Sequence, residues 1–245
     1  MYKSKVLVSF VLVLYILFAI LEFSGNSGVA YYLNALIIPV IALIYMLFVK
    51  NKNIFFSLFL FCYSLSDLMG IAIYSISFNE DSIIYDFDYY VGNSLYILAY
   101  LFLFIRISSS MSFLHVLRNF KIHIVVLTIL NIYLVYVLQM ILNPYNGLYN
   151  NYYLELTYNI VMLLVLSAAL LNYFFRDNKK SLYLFLGSLC IVFSEVIDVA
   201  YIYIAQRSLL NVLATSLALG AFYFFYQQSK LSNEVNQEDK YMIME

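Results

Sequence analysis

The chain has 245 residues, 64% hydrophobic and 11% charged, with a formal net charge of −1, seven Gly, two Pro and a mean hydropathy of +0.87. That composition excludes an ordinary soluble domain. The balance of 13 Lys and Arg against 14 Asp and Glu, with no basic run, points away from nucleic acid.

Apolar runs of about 17 to 24 residues recur along the whole chain, each long enough as a helix to cross roughly 30 Å of hydrocarbon. They predict an all-α polytopic membrane protein with eight spans, near 6–23, 31–49, 54–78, 89–106, 121–142, 152–175, 181–204 and 208–228, making one transmembrane domain over 1–228. The first run follows Lys3 and Lys5 as a secretory signal would. It exceeds the usual apolar core of about 7 to 15 residues and no A-x-A site follows, so it reads as a retained helix. Cys62 and Cys190 fall inside the third and seventh spans. There they read as small apolar residues, not as disulfide partners or reporters of a redox compartment. Segment 108–120, SSSMSFLHVLRNF, reads as a connector, with a short interfacial amphipathic piece as the alternative. Residues 229–245 form a polar tail too short to be a domain. Any chemistry therefore lies among the helices.

In the eight-span arrangement Lys3, Lys5, Lys50, Lys52, Arg106, Arg118, Lys121, Arg176, Lys179, Lys180, Lys230 and Lys240 share one side, with Arg207 the exception. The positive-inside rule then puts both termini in the cytoplasm and an acidic loop carrying Glu80, Asp81, Asp86 and Asp88 on the opposite side. The simplest location is a plasma or inner membrane.

Asp67 in the third span and Glu195 in the seventh lie deep in apolar sequence, and Asp198 lies one turn beyond Glu195 on the same side of its helix. Acids are costly in a bilayer and usually mark a site. Asp67 and Glu195 each fall some 13 or 14 residues into a span that starts on the cytoplasmic side, about 20 Å along the axis at the helical rise. They are thus level, slightly past the midplane. A shift of 128 residues superposes Lys52 on Lys180, Cys62 on Cys190, Ser66 on Ser194, Asp67 on Glu195, Ala72 on Ala200 and Gly92 on Gly220. That offset of four spans permits two parallel four-helix repeats, with the acids of spans three and seven facing each other.

A single buried acid serves equally well as a helix-to-helix hydrogen-bonding group, with Asn131, Gln139, Asn93 or a tyrosine as partner. Three clustered acids with no intramembrane Lys or Arg read instead as a functional site. Two neighbouring carboxyls in a low dielectric titrate separately, so one holds a proton while the other is ionised. Acid/base work needs that asymmetry. Other chemistries lack their signatures: there is no H-E-x-x-H, and His115 and His123 lie at the cytoplasmic edge. There is no G-x-S-x-G, and Ser66 and Ser194, each adjoining an acid in sequence, point away from it. The G-x-G-D and P-A-L signatures of intramembrane aspartyl proteases are also absent.

LNALIIP (33–39), YSLSDLMG (63–70), GNSLYILAY (92–100), YNIVMLLVLSAA (158–169), GSLCIVFSEVID (187–198) and YFFYQ (223–227) follow in order and spacing. Over about residues 30–228 the chain resembles the YhhN-like lysoplasmalogenase family. Where that family carries Gly-Asp, Ser-Asp, a basic residue and a histidine, this chain has Ser66-Asp67, Ser194-Glu195, Asn34 and Tyr100. The resemblance implies hydrolysis of the vinyl ether bond of a lysophospholipid, releasing a fatty aldehyde, with a membrane lipid as partner and no metal or cofactor. Proton delivery to the alkene carbon, an oxocarbenium ion and addition of water suit a carboxyl pair, with Glu195 assigned as acid and Asp67 as base. Asp198, Asn34, Asn93, Tyr96, Tyr100 and Tyr158 are expected to line or orient the pocket. A proton- or cation-coupled carrier and a non-catalytic lipid-binding member are the competing readings.

Overall fold

The structure is a computed structural model that describes residues 2–49, 52–76, 83–142 and 149–231. Lys50, Glu80, Asp81, Lys240, positions 77–78 of the expected third span and the tail beyond 231 lie outside the described residues, as do the side chains of Lys3 and Lys5. All described elements are helical: α1 (Tyr2–Phe23), α2 (Ser27–Phe48), α3 (Ile54–Tyr74), α4 (Ile83–Ser108), α5 (Phe113–Asn119), α6 (Lys121–Leu142), α7 (Tyr149–Arg176), α8 (Lys179–Tyr203) and α9 (Ser208–Lys230). Seven of them, α2, α3, α4, α6, α7, α8 and α9, are long and apolar enough to cross a bilayer, and α1 adds the shorter apolar stretch Val8–Phe23. The chain is thus an all-α polytopic membrane protein.

The connectors are short because the sequence stops each helix sharply. Gly25 takes φ 80 after α1, and its amide and that of Asn26 return to the carbonyls of Glu22 and Leu21. These are the paired bonds of a Schellman cap, which require a left-handed residue at that position. Asn53 caps α3 by accepting from the amides of Phe55 and Phe56, and Asn178 forms a capping box with Ser181 at the start of α8. Segment 108–120 is a correction to the connector expected there. It contains the seven-residue helix α5, with Val116 buried and Leu114 80% exposed.

Side-chain pairs fix the helix directions. Phe59 meets Tyr100 while Ser66 meets Gly92, so α3 and α4 are antiparallel. Tyr89 reaches Glu155 while Ser110 reaches Asn172, so α4 and α7 run the same way. Helices α2, α3, α4, α7, α8 and α9 each pack on the next, and α9 returns to α2, closing a ring. Outside it, α1 leans on α2 and α9, and α6 on α7 and α8. Phe59, Tyr100 and Phe225, all 1% exposed or less, fill the ring interior toward the end where α3 begins. Apolar side chains such as Leu47, Ile122 and Ile132 cover the outside. That inside-out distribution is the one lipid allows.

Candidate functional site

Beyond the aromatic plug the ring opens into a cavity of about 340 Å³, toward the end opposite the basic residues. Six of the residues expected at a site line it: Asp67, Glu195, Asp198, Asn34, Asn93 and Tyr96. The remaining two, Tyr100 and Tyr158, are buried behind Glu195 and hold it in place.

Glu195 is gripped from three helices. Its Oε1 accepts from the hydroxyls of Tyr63 on α3 (2.9 Å) and Tyr100 on α4 (2.5 Å), and its Oε2 accepts from Tyr158 on α7 (2.5 Å). Three phenol donors supply the solvation a carboxylate otherwise draws from water, and such charge-assisted bonds are the strong ones. Asp67 is held more lightly: Tyr96 of α4 donates to Oδ1 at 2.5 Å, and Oδ2 makes no hydrogen bond among the described residues. Asp198 makes none among the described residues with either oxygen. The rings of Tyr63 and Tyr96 sit edge to face with centroids 4.8 Å apart, so the two carboxylates are joined through a pair of packed phenols.

The serines beside the acids are occupied. Ser66 donates to the Gly92 carbonyl at 3.1 Å and Ser194 to the Ala214 carbonyl at 2.7 Å, in each case on the next helix along the chain. Asn34 accepts from Thr215 at 3.1 Å, tying α2 to α9, and Asn93 donates to the Tyr89 carbonyl of its own helix at 2.8 Å. Of the helix-bonding partners expected for a lone acid, tyrosines hold Asp67 and Glu195, whereas the asparagines and the glutamine do not. Asn131 donates to Ser167, and neither side-chain amide atom of Gln139 has a partner among the described residues.

Pro39 lies inside α2 and has no N–H to offer the carbonyl four residues earlier, that of the lining residue Ala35. Among the described residues the wall carries four carboxyl groups, from Asp67, Asp88, Glu195 and Asp198, and no Lys or Arg. Among the described residues no three Asp, Glu, His or Cys side chains converge as a metal site. A wall so rich in acceptors favours protons, water and cationic groups over bare anions.

Sequence reasoning missed several contributors. Tyr63 lies one turn before Asp67, a spacing visible in the sequence. By sequence Asp88 falls in the acidic loop opposite the cytoplasmic side, whereas α4 starts at Ile83 and carries it into the wall. Glu155 is a further buried acid, 9% exposed, accepting from the lining residue Tyr89 at 2.6 Å. No motif announces Tyr31, Tyr89 or Thr215; their helices' rotation brings them there. Comparison with known proteins gives no match of any kind: no family model, no curated protein and no solved structure matches this chain.

Proposed function

We propose that this chain is an eight-span membrane hydrolase of the YhhN-like lysoplasmalogenase type, which cleaves the vinyl ether bond of a lysophospholipid with Asp67 and Glu195. In this reading α1 is the eighth span and both termini lie on the basic, cytoplasmic side of a plasma or inner membrane. The observation that carries it is the meeting of Asp67 and Glu195, 128 residues apart, in one intramembrane cavity with each carboxylate fixed by tyrosine hydroxyls.

The hydrogen bonds support roles opposite to those assigned from sequence. Glu195, an acceptor on both oxygens, is fixed in place to face positive charge. Asp67 has an oxygen open to the cavity and acts as the acid. It delivers a proton to the alkene carbon, leaving an oxocarbenium ion that Glu195 stabilises. Water then adds to that ion and gives up a proton to Glu195. The resulting hemiacetal collapses to a fatty aldehyde and the alcohol of the glycerophospho-base, and the proton returns to Asp67 through the cavity. Electrostatic placement of this kind is ordinarily the largest contribution to catalysis.

The test is aldehyde release from a lysoplasmalogen by the purified chain beside Asp67→Asn and Glu195→Gln variants. Turnover in the wild type that is lost in both variants supports the diacid hydrolase; turnover retained in Asp67→Asn overturns it. The four carboxylates without a lining cation favour a second reading, a proton- or cation-coupled carrier. Proton-driven uptake into vesicles without aldehyde release selects that one, and a lipid-binding relic shows neither.

A further inference from the structure

We propose that the basic end of the bundle carries a binding site for a phosphate-type oxyanion, in a second cavity of about 260 Å³ where Arg106, Arg176 and Lys180 converge. The three come from α4, α7 and α8, and no Asp or Glu joins them in the wall among the described residues. Asp177, next to Arg176 in the chain, is exposed and does not line the cavity. The guanidiniums of Arg106 and Arg176 repel one another, so an arrangement that keeps them together calls for a counter-anion.

The wall is built to donate. Arg176 is anchored through Nε, 2.7 Å from the Ser110 carbonyl, and through a second nitrogen to the same oxygen. Lys180 donates to the Leu231 carbonyl at 2.9 Å. The Arg106 guanidinium makes no hydrogen bond among the described residues. Gln228, only 8% exposed, lines the cavity with a side-chain amide that makes no hydrogen bond among the described residues. Asn172, 1% exposed, spends Oδ1 on the Ser110 hydroxyl at 3.0 Å, and its amide nitrogen has no acceptor among the described residues. Helix α8 starts at this wall, adding the positive end of its dipole. A planar guanidinium, amide N–H groups and a helix start supply several donors directed at the oxygens of a phosphate, a match that monatomic chloride does not offer. Both a lipid phosphate headgroup at the membrane surface and free phosphate present that chemistry.

The site is separate from the carboxylate cavity, and its test needs no turnover. The purified full chain in neutral detergent is titrated with inorganic phosphate, and the same chain is reconstituted in phosphatidylcholine vesicles with and without phosphatidic acid. Affinity and thermal midpoint are read for the wild type, Arg106→Gln, Gln228→Leu and the control Arg118→Gln, an exposed residue of α5 outside the cavity wall. Binding weakened about tenfold or more in Arg106→Gln and unchanged in Arg118→Gln supports the site. If that pattern appears with inorganic phosphate the source is free phosphate, and if only phosphatidic acid produces it the source is a headgroup. Should Arg106→Gln fail to fold, Gln228→Leu decides by the same criterion. No wild-type binding of either probe, or equal weakening by Arg118→Gln, overturns the proposal.

Discussion

Asp67 on α3 and Glu195 on α8 occupy equivalent places in sequence, each after a serine that bonds to the following helix, yet their surroundings differ. Glu195 has three tyrosine donors from three helices, Asp67 has one from one. Helix packing differs too. Gly92 faces Ser66 on α3, whereas Gly220, its match at the 128-residue offset, faces Cys190 on α8, one turn short of Ser194. Helix α9 is therefore displaced along α8 relative to the way α4 lies on α3. A duplicated pattern would thus yield two inequivalent carboxylates: one clamped as an acceptor, the other left open to exchange a proton.

The largest expected effects separate the two acids by what is lost. Asp67→Asn removes the proposed proton donor while Tyr96 can still donate to the amide oxygen, so aldehyde release should fall about 10²- to 10⁴-fold with stability nearly unchanged. Glu195→Gln replaces one of two acceptor oxygens with a donor, leaving at least one of three buried phenols without a partner. It should lose turnover to a similar degree and also cost about 1–3 kcal/mol of stability. Thermal unfolding beside the aldehyde assay checks both; equal stability losses would mean that the two acids are held alike.

Next in size is the clamp. Tyr158 is the sole donor to Oε2, whereas Oε1 has both Tyr63 and Tyr100. Hydrogen bonds to charged groups contribute about 1.5–3 kcal/mol, so Tyr158→Phe should reduce turnover about tenfold or more. Tyr63→Phe, which leaves Tyr100 on the same oxygen, should cost less. The reverse order would indicate that Oε1 carries the catalytic charge.

Much of this was legible in the sequence and some was not, for one physical reason. Span length follows from counting apolar residues at a fixed rise, so α2, α3, α4, α6, α7, α8 and α9 could be read directly as helices long enough to cross a bilayer. The rotation of a helix could not. In lipid a helix is apolar toward both neighbours and bilayer, and the usual amphipathic stripe that reports the inward face is weak. So Tyr96, Tyr100 and Tyr158 could be proposed from the stretches that carry the family resemblance, while the Tyr89 to Glu155 pair and the convergence of Arg106, Arg176 and Lys180 needed the packed structure. The side shared by the basic residues was evident; that three of them meet in one cavity was not.

Two glycines within the α8–α9 pair should respond oppositely to one methyl group. A Cβ on Gly187 would stand 2.5 Å from the ring of Phe225, itself 1% exposed, so Gly187→Ala must push α8 and α9 apart. Overpacking of that kind costs about 1–3 kcal/mol. A Cβ on Gly220 would meet nothing closer than Cys190 Sγ at 3.9 Å. Gly220→Ala should therefore stabilise, by at most about 1 kcal/mol, through helix propensity alone. Thermal midpoints of the two variants should move in opposite directions.

The smallest effects belong to the serines, and they discriminate among mechanisms. Ser66 and Ser194 give their hydroxyl protons to the carbonyls of Gly92 and Ala214, so each hydroxyl is already engaged in joining helices. Replacing either with Ala removes one neutral hydrogen bond, worth about 1 kcal/mol, and leaves both carboxylates and their tyrosine donors in place. Turnover by Ser66→Ala and Ser194→Ala should stay within a few-fold of the wild type once stability is matched. A serine nucleophile would instead be abolished by one of them, because the attacking oxygen itself would be gone. Near-normal aldehyde release by both alanine variants, together with its loss in Asp67→Asn, would leave the proton on the acid and the serines as the bolts that hold α3 to α4 and α8 to α9.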